Sequence, residues 1–309
     1  MKPRDHAFRF FILGAVLLAT AVLAVSGCVV ITYRLEPAHV ARLDQARARS
    51  VVAPEKVSIE VMASSYGAGL GLIGALVDSG VNKGRATDAE RRAAPLREGT
   101  QDLDFRAKFW EQLGPGIKDL EWPKVADVDT AKVWSLLSDA DVKDSHLIAL
   151  HTNHSLSPNG AVLRISTSFS FHMKGSAKTA AIGSVTYYSR DIGKVVEGKY
   201  KEDEEAVALW AADNCAAYRA AIEEGIAENV KMLRSALPYA GGKDVPPPLQ
   251  VTEFKYDVTH GRGDFGLKSW RTTLRGTVLE RTNERLMVRV GLGPIYSVPV
   301  AEIEETKAR

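Results

Sequence analysis

The strongest constraint on this chain is an uncharged run near its N-terminus. Residues 10–33 contain no Asp, Glu, Lys or Arg, and they follow Lys2, Arg4 and Arg9. A basic start followed by an apolar stretch is typical of a secretory signal peptide. The run of 24 residues is also long enough for a membrane span of about 20 residues. Both interpretations place the rest of the chain outside the cytoplasm, because the positive charges keep the N-terminus inside.

Four residues near the end of this run favour cleavage. Val25-Ser26-Gly27-Cys28 resembles the lipobox of bacterial lipoproteins, which is an aliphatic residue, a small residue, Gly or Ala, and then Cys. The resemblance implies that residues 1–27 are a lipoprotein signal peptide, and that Cys28 becomes the lipidated (palmitate-bearing) first residue and membrane anchor. Val29, where an inner-membrane lipoprotein has Asp, implies an outer-membrane protein facing the periplasm.

The apolar residues 29–33 keep two alternatives open, since lipoproteins usually continue with a polar tether. The first alternative is an uncleaved single-span anchor in the inner membrane with a periplasmic body. The second is a soluble secreted product.

The charge and cysteine content exclude two classes of protein. Residues 1–27 hold three of the 40 basic and one of the 38 acidic residues, so the remainder carries equal numbers of each. A body without net charge lacks the basic face that nucleic-acid binding requires. With Cys28 acylated, Cys215 is the one cysteine left, so no disulfide framework forms. Its alanine-rich surroundings predict a small buried side chain.

Alternating apolar and polar residues predict a strand at residues 57–62. Further on, three strands at residues 146–152, 163–173 and 181–190, joined by turns, predict an antiparallel β-meander. In the strand at residues 163–173, Phe169 falls mid-strand on the apolar face and Ser168 on the polar face. An antiparallel sheet with a single apolar face needs a cover.

Helical periodicity supplies that cover. Residues 70–97 and 104–113 are predicted to be helices, and apolar side chains recur every three or four residues from Val207 to Leu237, including Trp210 and Tyr218. The predicted fold class is α+β, an antiparallel meander covered by long helices. The expected boundaries are a membrane-proximal tether at residues 28–50 and a periplasmic domain at residues 51–242.

The C-terminal part is predicted to be a small all-β module. Pro246-Pro247-Pro248 marks a Pro-rich linker at residues 243–250, and residues 251–309 contain short strands separated by tight turns. The run of Gly-x-Val, a turn and Leu-x-Val-x-Val resembles SH3-like barrels. About 60 residues are few for a free-standing fold, so we expect this module to lean on the larger body through Trp270 or Tyr296.

Several motifs that carry chemistry elsewhere lack their context here. Gly69-x-Gly71-x-x-Gly74 has the spacing of a dinucleotide fingerprint, but no strand ending in an acidic residue follows. Two other roles explain this glycine spacing better. The glycines allow a helix to pack closely against its neighbours, or the apolar segment contacts a membrane or another subunit. The tripeptides Arg262-Gly263-Asp264 and Asn153-His154-Ser155 are chance matches to eukaryotic signals.

Four histidines cluster in the predicted meander, at His146, His151, His154 and His172. His151 and His154 point to opposite faces of a strand because their separation is odd, so they cannot share a metal. We expect solvated strand-face histidines, with no catalytic residues, no cofactor and no metal.

These observations favour a non-enzymatic envelope lipoprotein, an accessory or adaptor protein that binds a partner protein or self-associates. Two alternatives stay open. One is a periplasmic hydrolase whose site is assembled from distant residues. The other is a subunit of an oligomeric secretion or transport complex, because the architecture resembles that of the curli-secretion lipoprotein.

The lipid anchor can be tested directly. Cys28→Ser removes the thiol that would be acylated, so we expect no labelling by a fatty-acid analogue and an unprocessed or soluble product. Unchanged labelling would exclude Cys28 as the anchor, and recovery of the wild-type chain in inner-membrane fractions would exclude the outer-membrane destination.

Overall fold

The fold is organised around one mixed β-sheet. A computed structural model describes residues 33–43, 45–61, 71–132, 137–198, 203–242, 251–257 and 271–305. The strands in these residues are β1 Gln45–Val52, β2 Ser58–Ile59, β3 Lys124–Ala131, β4 His146–Leu156, β5 Leu163–His172, β6 Thr179–Tyr188, β7 Val251–Asp257, β8 Arg271–Arg281, β9 Arg285–Val290, β10 Ile295–Pro299 and β11 Glu304–Glu305.

The helices lie before, between and beside these strands. They are α1 Pro37–Val40, α2 Gly71–Gly99, α3 Phe105–Lys118, α4 Ile192–Val195 and α5 Asp203–Ala240, with a 3-10 turn at Val300–Glu302. The strand order is β11-β7-β8-β9-β10-β6-β5-β4-β1-β3, and β2 pairs with β4 off this path. The fold is therefore mixed α and β, with β3 at one edge of the sheet.

The predicted meander is confirmed. β4 and β5 pair antiparallel, as do β5 and β6. Phe169 is 4% exposed on the covered face, whereas Ser168, on the opposite face, is exposed. Gly183 pairs with Phe169 across β5 and β6, and a methyl group at that glycine would collide with the Phe169 ring.

The predicted tether is wrong for residues 45–50. These residues belong to β1, which lies in the sheet between β3 and β4 and is parallel to both. Ala46, Ala48, Ser50 and Val52 are buried on one face. The small size of these side chains and the arginines between them make the strand look polar in sequence. The strand predicted at residues 57–62 is also shorter, since β2 has two residues.

An arginine on the opposite face of β1 joins three segments. Arg49 donates hydrogen bonds to Asp129 of β3 at 3.2 Å and to Asp141 at 2.8 Å. Hydrogen bonds from Ser138 and from Arg49 lower the pKa of Asp141. The charges that made residues 45–50 look like a tether therefore stabilise strand pairing.

Helix α5 covers the meander as predicted, but it is not continuous. Trp210 and Tyr218 are fully buried and contact each other edge to face at 6.1 Å. Between them, Ala212 is extended, and Asp213, Asn214 and Cys215 have φ of 50°, 56° and 58°. These angles belong to the left-handed region, which costs L-residues about 1–2 kcal/mol each. Asn214 is consequently exposed, although the helical pattern places it on the apolar stripe.

The C-terminal strands continue the same sheet. β10 pairs parallel with β6, and Tyr296 stacks on Tyr188 with ring centroids 6.4 Å apart. This is the kind of contact expected of Tyr296, whereas Trp270 and the linker at 243–250 lie outside the described residues. The boundary at the linker stays a prediction.

Arg285 links β9 to β6, β10 and α5 through buried hydrogen bonds. Its guanidinium donates to Ser297 Oγ at 2.8 Å, to Glu224 of α5 at 2.9 Å and to the Tyr188 carbonyl at 2.7 Å. It also lies 4.4 Å from the centre of the Tyr187 ring. Removal of one partner from such a buried ionic network is strongly destabilising, so the C-terminal strands and the meander depend on each other.

The packing of the meander gives a matched pair of variants. Phe169→Ala should lower the free energy of unfolding by about 3–5 kcal/mol, because it empties a filled core position. Ser168→Ala, on the neighbouring exposed position, should change it by less than about 0.5 kcal/mol. Chemical denaturation of the full chain measures both, and equal midpoints would show that the strand faces the other way.

Candidate functional site

The described residues contain a cleft of about 260 Å³ on the helix-covered side of the sheet. Residues 55–57, which follow β1, form one wall, and residues 100–104, which join α2 to α3, form a second wall. The lining is completed by Arg97 of α2, Phe105 of α3, His154 of β4 and Tyr218 of α5. The site is thus assembled from four segments that are distant in sequence.

His154 is the buried polar group of this cleft. It pairs with Ile165 in an unbroken register, which places it on the same face as Phe169 and 2% exposed. Its imidazole stacks on Phe105 with ring centroids 4.0 Å apart. The Nδ1 atom has no hydrogen-bond partner within the described part of the chain. Burial lowers the pKa of His154 to about 3, so the ring is neutral at physiological pH.

The expectation of solvated histidines is therefore wrong for His154, and also for His172. His172 lies on the opposite face but is 4% exposed, because its Nδ1 lies 2.8 Å from the Ala177 carbonyl and its Nε2 lies 2.8 Å from Ser170 Oγ. His151 is half-buried. The prediction that His151 and His154 face opposite ways is confirmed by the register of β4.

Arginines engage two of the carboxylates that line the cleft. Asp102 accepts hydrogen bonds from both Nη atoms of Arg219, at 2.7 and 3.0 Å, and the hydrogen bonding from Arg219 lowers the pKa of Asp102. Glu55 pairs with Arg106, which also donates to the Val52 carbonyl at 3.2 Å. These contacts connect the first wall to α3 and the second wall to α5.

The remaining carboxylate has a structural role. Asp104 is the N-cap of α3 and accepts a 2.9 Å hydrogen bond from the Ala107 amide. Arg97 donates to the Val57 carbonyl at 2.7 Å, tying the end of α2 to the first wall. Lys56 and Gln101 lie exposed at the rim. The cleft thus combines a buried stacked pair, Phe105 and His154, with exposed polar side chains at its rim.

The left-handed turn of α5 positions the far side of this cleft. Cys215 ends the turn and is a buried free thiol, as predicted, and burial raises its pKa. Its Sγ occupies the space that a side chain at Gly99 would need. Arg219, one helical turn later, reaches the Gly99 carbonyl at 3.0 Å. The strained turn thus brings α5 against the wall formed by residues 100–104.

The other sequence-predicted positions contribute nothing to the cleft. Cys28 and Arg262-Gly263-Asp264 lie outside the described residues. Of the glycine motif, Gly71 begins α2 and Gly74 lies within it. No group of three or more His, Cys, Asp or Glu side chains in the described ranges is arranged to hold a metal ion. In the same ranges, no helix combines the length and apolar character needed to cross a membrane.

Sequence patterns carried one signal for this site that was missed. Ile148, Leu150, Thr152, His154 and Leu156 alternate along β4, and the other members of this series are all buried. A histidine in such a series lies on the covered face. The walls carry no comparable signal, since their positions depend on pairing between distant segments.

Comparison with known proteins leaves the family of this chain open: the sequence matches no protein-family model and no curated protein. The function of the chain is therefore inferred from the geometry of the His154 cleft and from the N-terminal sequence.

The buried histidine predicts a specific pH dependence. The pKa of His154 is about 3 in the folded state and about 6.5 in an unfolded chain. As the pH falls below about 6.5, the unfolded state takes up the proton first. The stability contributed by neutral His154 is complete above that pH and is lost as the pH falls toward 3, by about 1.4 kcal/mol per pH unit.

Denaturation of His154→Phe from pH 7 to pH 3.5 tests this. The variant should lose stability less steeply with falling pH than the wild type does, while His151→Phe should follow the wild type. Parallel curves for the wild type and His154→Phe would show that the ring is accessible to protons in the folded state.

Proposed function

We propose that this chain is a non-catalytic lipoprotein of the bacterial envelope, anchored through Cys28 in the outer membrane, whose periplasmic body binds a partner protein at the His154 cleft. The lipobox Val25-Ser26-Gly27-Cys28 supports the anchor. The observation that carries the binding role is the cleft itself, whose carboxylates already pair with arginines or cap a helix. Side chains that are ordered before binding lower its entropic cost.

The same contacts argue against the hydrolase alternative. Acid–base catalysis needs a titratable group with a pKa near the operating pH. His154 is neutral with a pKa of about 3, and a bond from Arg219 lowers the pKa of Asp102. Both groups therefore keep one protonation state near neutral pH.

The size of the cleft limits what it accepts. A volume of about 260 Å³ is at the lower end of ligand pockets and suits one side chain or one chain end of the partner. An aromatic floor from Phe105 and Tyr218 favours an apolar group, while Lys56 and Gln101 at the rim offer polar contacts.

In the same proposal, the C-terminal strands form an SH3-like module with a second contact surface. Supporting this, Tyr256 of β7 contacts Tyr188 of β6, with ring centroids 5.4 Å apart, although four strand pairings separate the two strands. A sheet that brings these strands together is strongly curled, as small barrels are.

A site-specific photo-crosslinker at position 101 of the full-length chain tests the binding role in cells. We expect one discrete adduct from the Gln101 position, and none from Asp144, an exposed residue just before β4. Lys56→Ala should reduce the yield at position 101. An adduct of twice the chain mass would identify the partner as a second copy, whereas equal behaviour of positions 101 and 144 would contradict the proposal.

A further inference from the structure

Two arginines lie against one tyrosine where the described chain begins. The guanidinium carbons of Arg34 and Arg289 are 4.3 and 3.7 Å from the centre of the Tyr239 ring. The two cations are therefore at most 8 Å apart. Like charges this close repel each other. The Tyr239 ring offsets part of this repulsion through cation–π contacts with both guanidinium groups, and an anion would offset more of it.

Carboxylates of the described residues do not offset the repulsion between the two guanidinium charges. In the described part of the chain, neither Arg34 nor Arg289 forms an ion pair with a carboxylate. Arg289 is 7% exposed, and its buried Nε has no hydrogen-bond partner there. Burial lowers the pKa of Arg289, and the charge of Arg34 also lowers it, whereas the interaction with Tyr239 raises it. Arg285, on the same strand, shows the contrast, since Ser297 and Glu224 satisfy it.

A buried guanidinium without a carboxylate partner lowers the stability of the folded protein. The same group is a ready binding site for an anion. Guanidinium groups bind phosphate through parallel N–H···O bonds of about 2.7–2.9 Å. With their guanidinium carbons at most about 8 Å apart, Arg34 and Arg289 create a local positive charge beside Tyr239 that attracts an anion. Arg34 is exposed, which leaves an approach to the pair from solvent.

The position of the pair indicates the source of the anion. Arg34 is the first charged residue after the uncharged run at residues 10–33. The Leu35 amide donates to the Ala240 carbonyl at 2.7 Å, which fixes this segment beside Tyr239. A side chain at Gly293 would begin 2.7 Å from Cε1 of Tyr33, so the β9–β10 turn lies against the same segment.

That turn carries the most exposed large apolar side chain of the described residues, Leu292, at 64% exposure. Arginines, tyrosines and a projecting leucine are the side chains that proteins place at a membrane interface, where headgroup phosphates meet acyl chains. Leu292, Tyr33 and the arginine pair lie together at the end of the body that continues into the anchor sequence.

We propose that Arg34 and Arg289 bind the phosphate of a phospholipid headgroup, with Leu292 inserted beside it. The inference rests on the membrane anchoring in the proposed function, and it adds a second contact that orients the body on the bilayer.

The full-length protein in dodecyl maltoside, titrated by calorimetry, tests the site. Dihexanoyl phosphatidylglycerol should bind saturably, and Arg34→Gln and Arg289→Gln should each weaken it about tenfold or more. Arg42→Gln, at an exposed arginine in the same segment, should bind as the wild type does. Arg34→Gln alters an exposed side chain, so it keeps the test valid where Arg289→Gln fails to fold.

Two further measurements separate the possible outcomes. Leu292→Ser should weaken binding of the lipid but not of inorganic phosphate. Binding of inorganic phosphate alone would overturn the lipid assignment, and binding of neither probe would overturn the site. Acylation at Cys28 and cross-linking at position 101 do not depend on Arg34, so failure of the phosphate site is distinguishable from failure of the proposed function.

Discussion

A buried hydrogen-bond chain fixes where helix α5 lies on the sheet. Asn229 is fully buried, accepts from Thr167 Oγ1 at 2.7 Å and donates to the Ile165 carbonyl at 3.2 Å. Thr167 lies 2.8 Å from Thr152 on the neighbouring strand. Apolar packing alone tolerates sliding of a helix, whereas a buried amide loses its bonds in any other register.

The other features of the body depend on that register. The same helix brings Tyr218 to the cleft, Glu224 to Arg285, and Tyr239 to the two unpaired arginines. A shift of α5 along the sheet would disturb all three together. The helix therefore couples the two proposed binding regions to one core, although they use different chemistry.

Elements whose sequence pattern lies within one segment could be predicted, and elements that depend on distant segments could not. The meander and α5 were predictable because alternation and helical periodicity act within one segment. β1 was missed because its buried residues are small and its partners, β3 and β4, are parallel and distant in sequence. The left-handed turn at Asp213, Asn214 and Cys215 gives only a weak sequence signal, because Asp and Asn adopt positive φ more readily than most residues but Cys does not.

The candidate site shows the same division. Phe105 and Tyr218 were predictable as apolar helix positions, and the alternation along β4 carried a signal for His154. The walls of the cleft could not be predicted, because Asp102 meets Arg219 across more than a hundred residues. Sequence gives the side chains that can pair, but only the fold decides which of them do.

The position of β1 between β3 and β4 has a consequence for the order of folding. β1 is synthesised early, whereas β3 begins about 80 residues later and β4 about a hundred residues later. Both edges of β1 stay without a partner until β3 is made, and an unpaired strand is a template for aggregation. Arg47 and Arg49 on this strand place charge where another chain would add. The arginines that make β1 look like a polar tether in sequence thus oppose its aggregation until β3 and β4 pair with it.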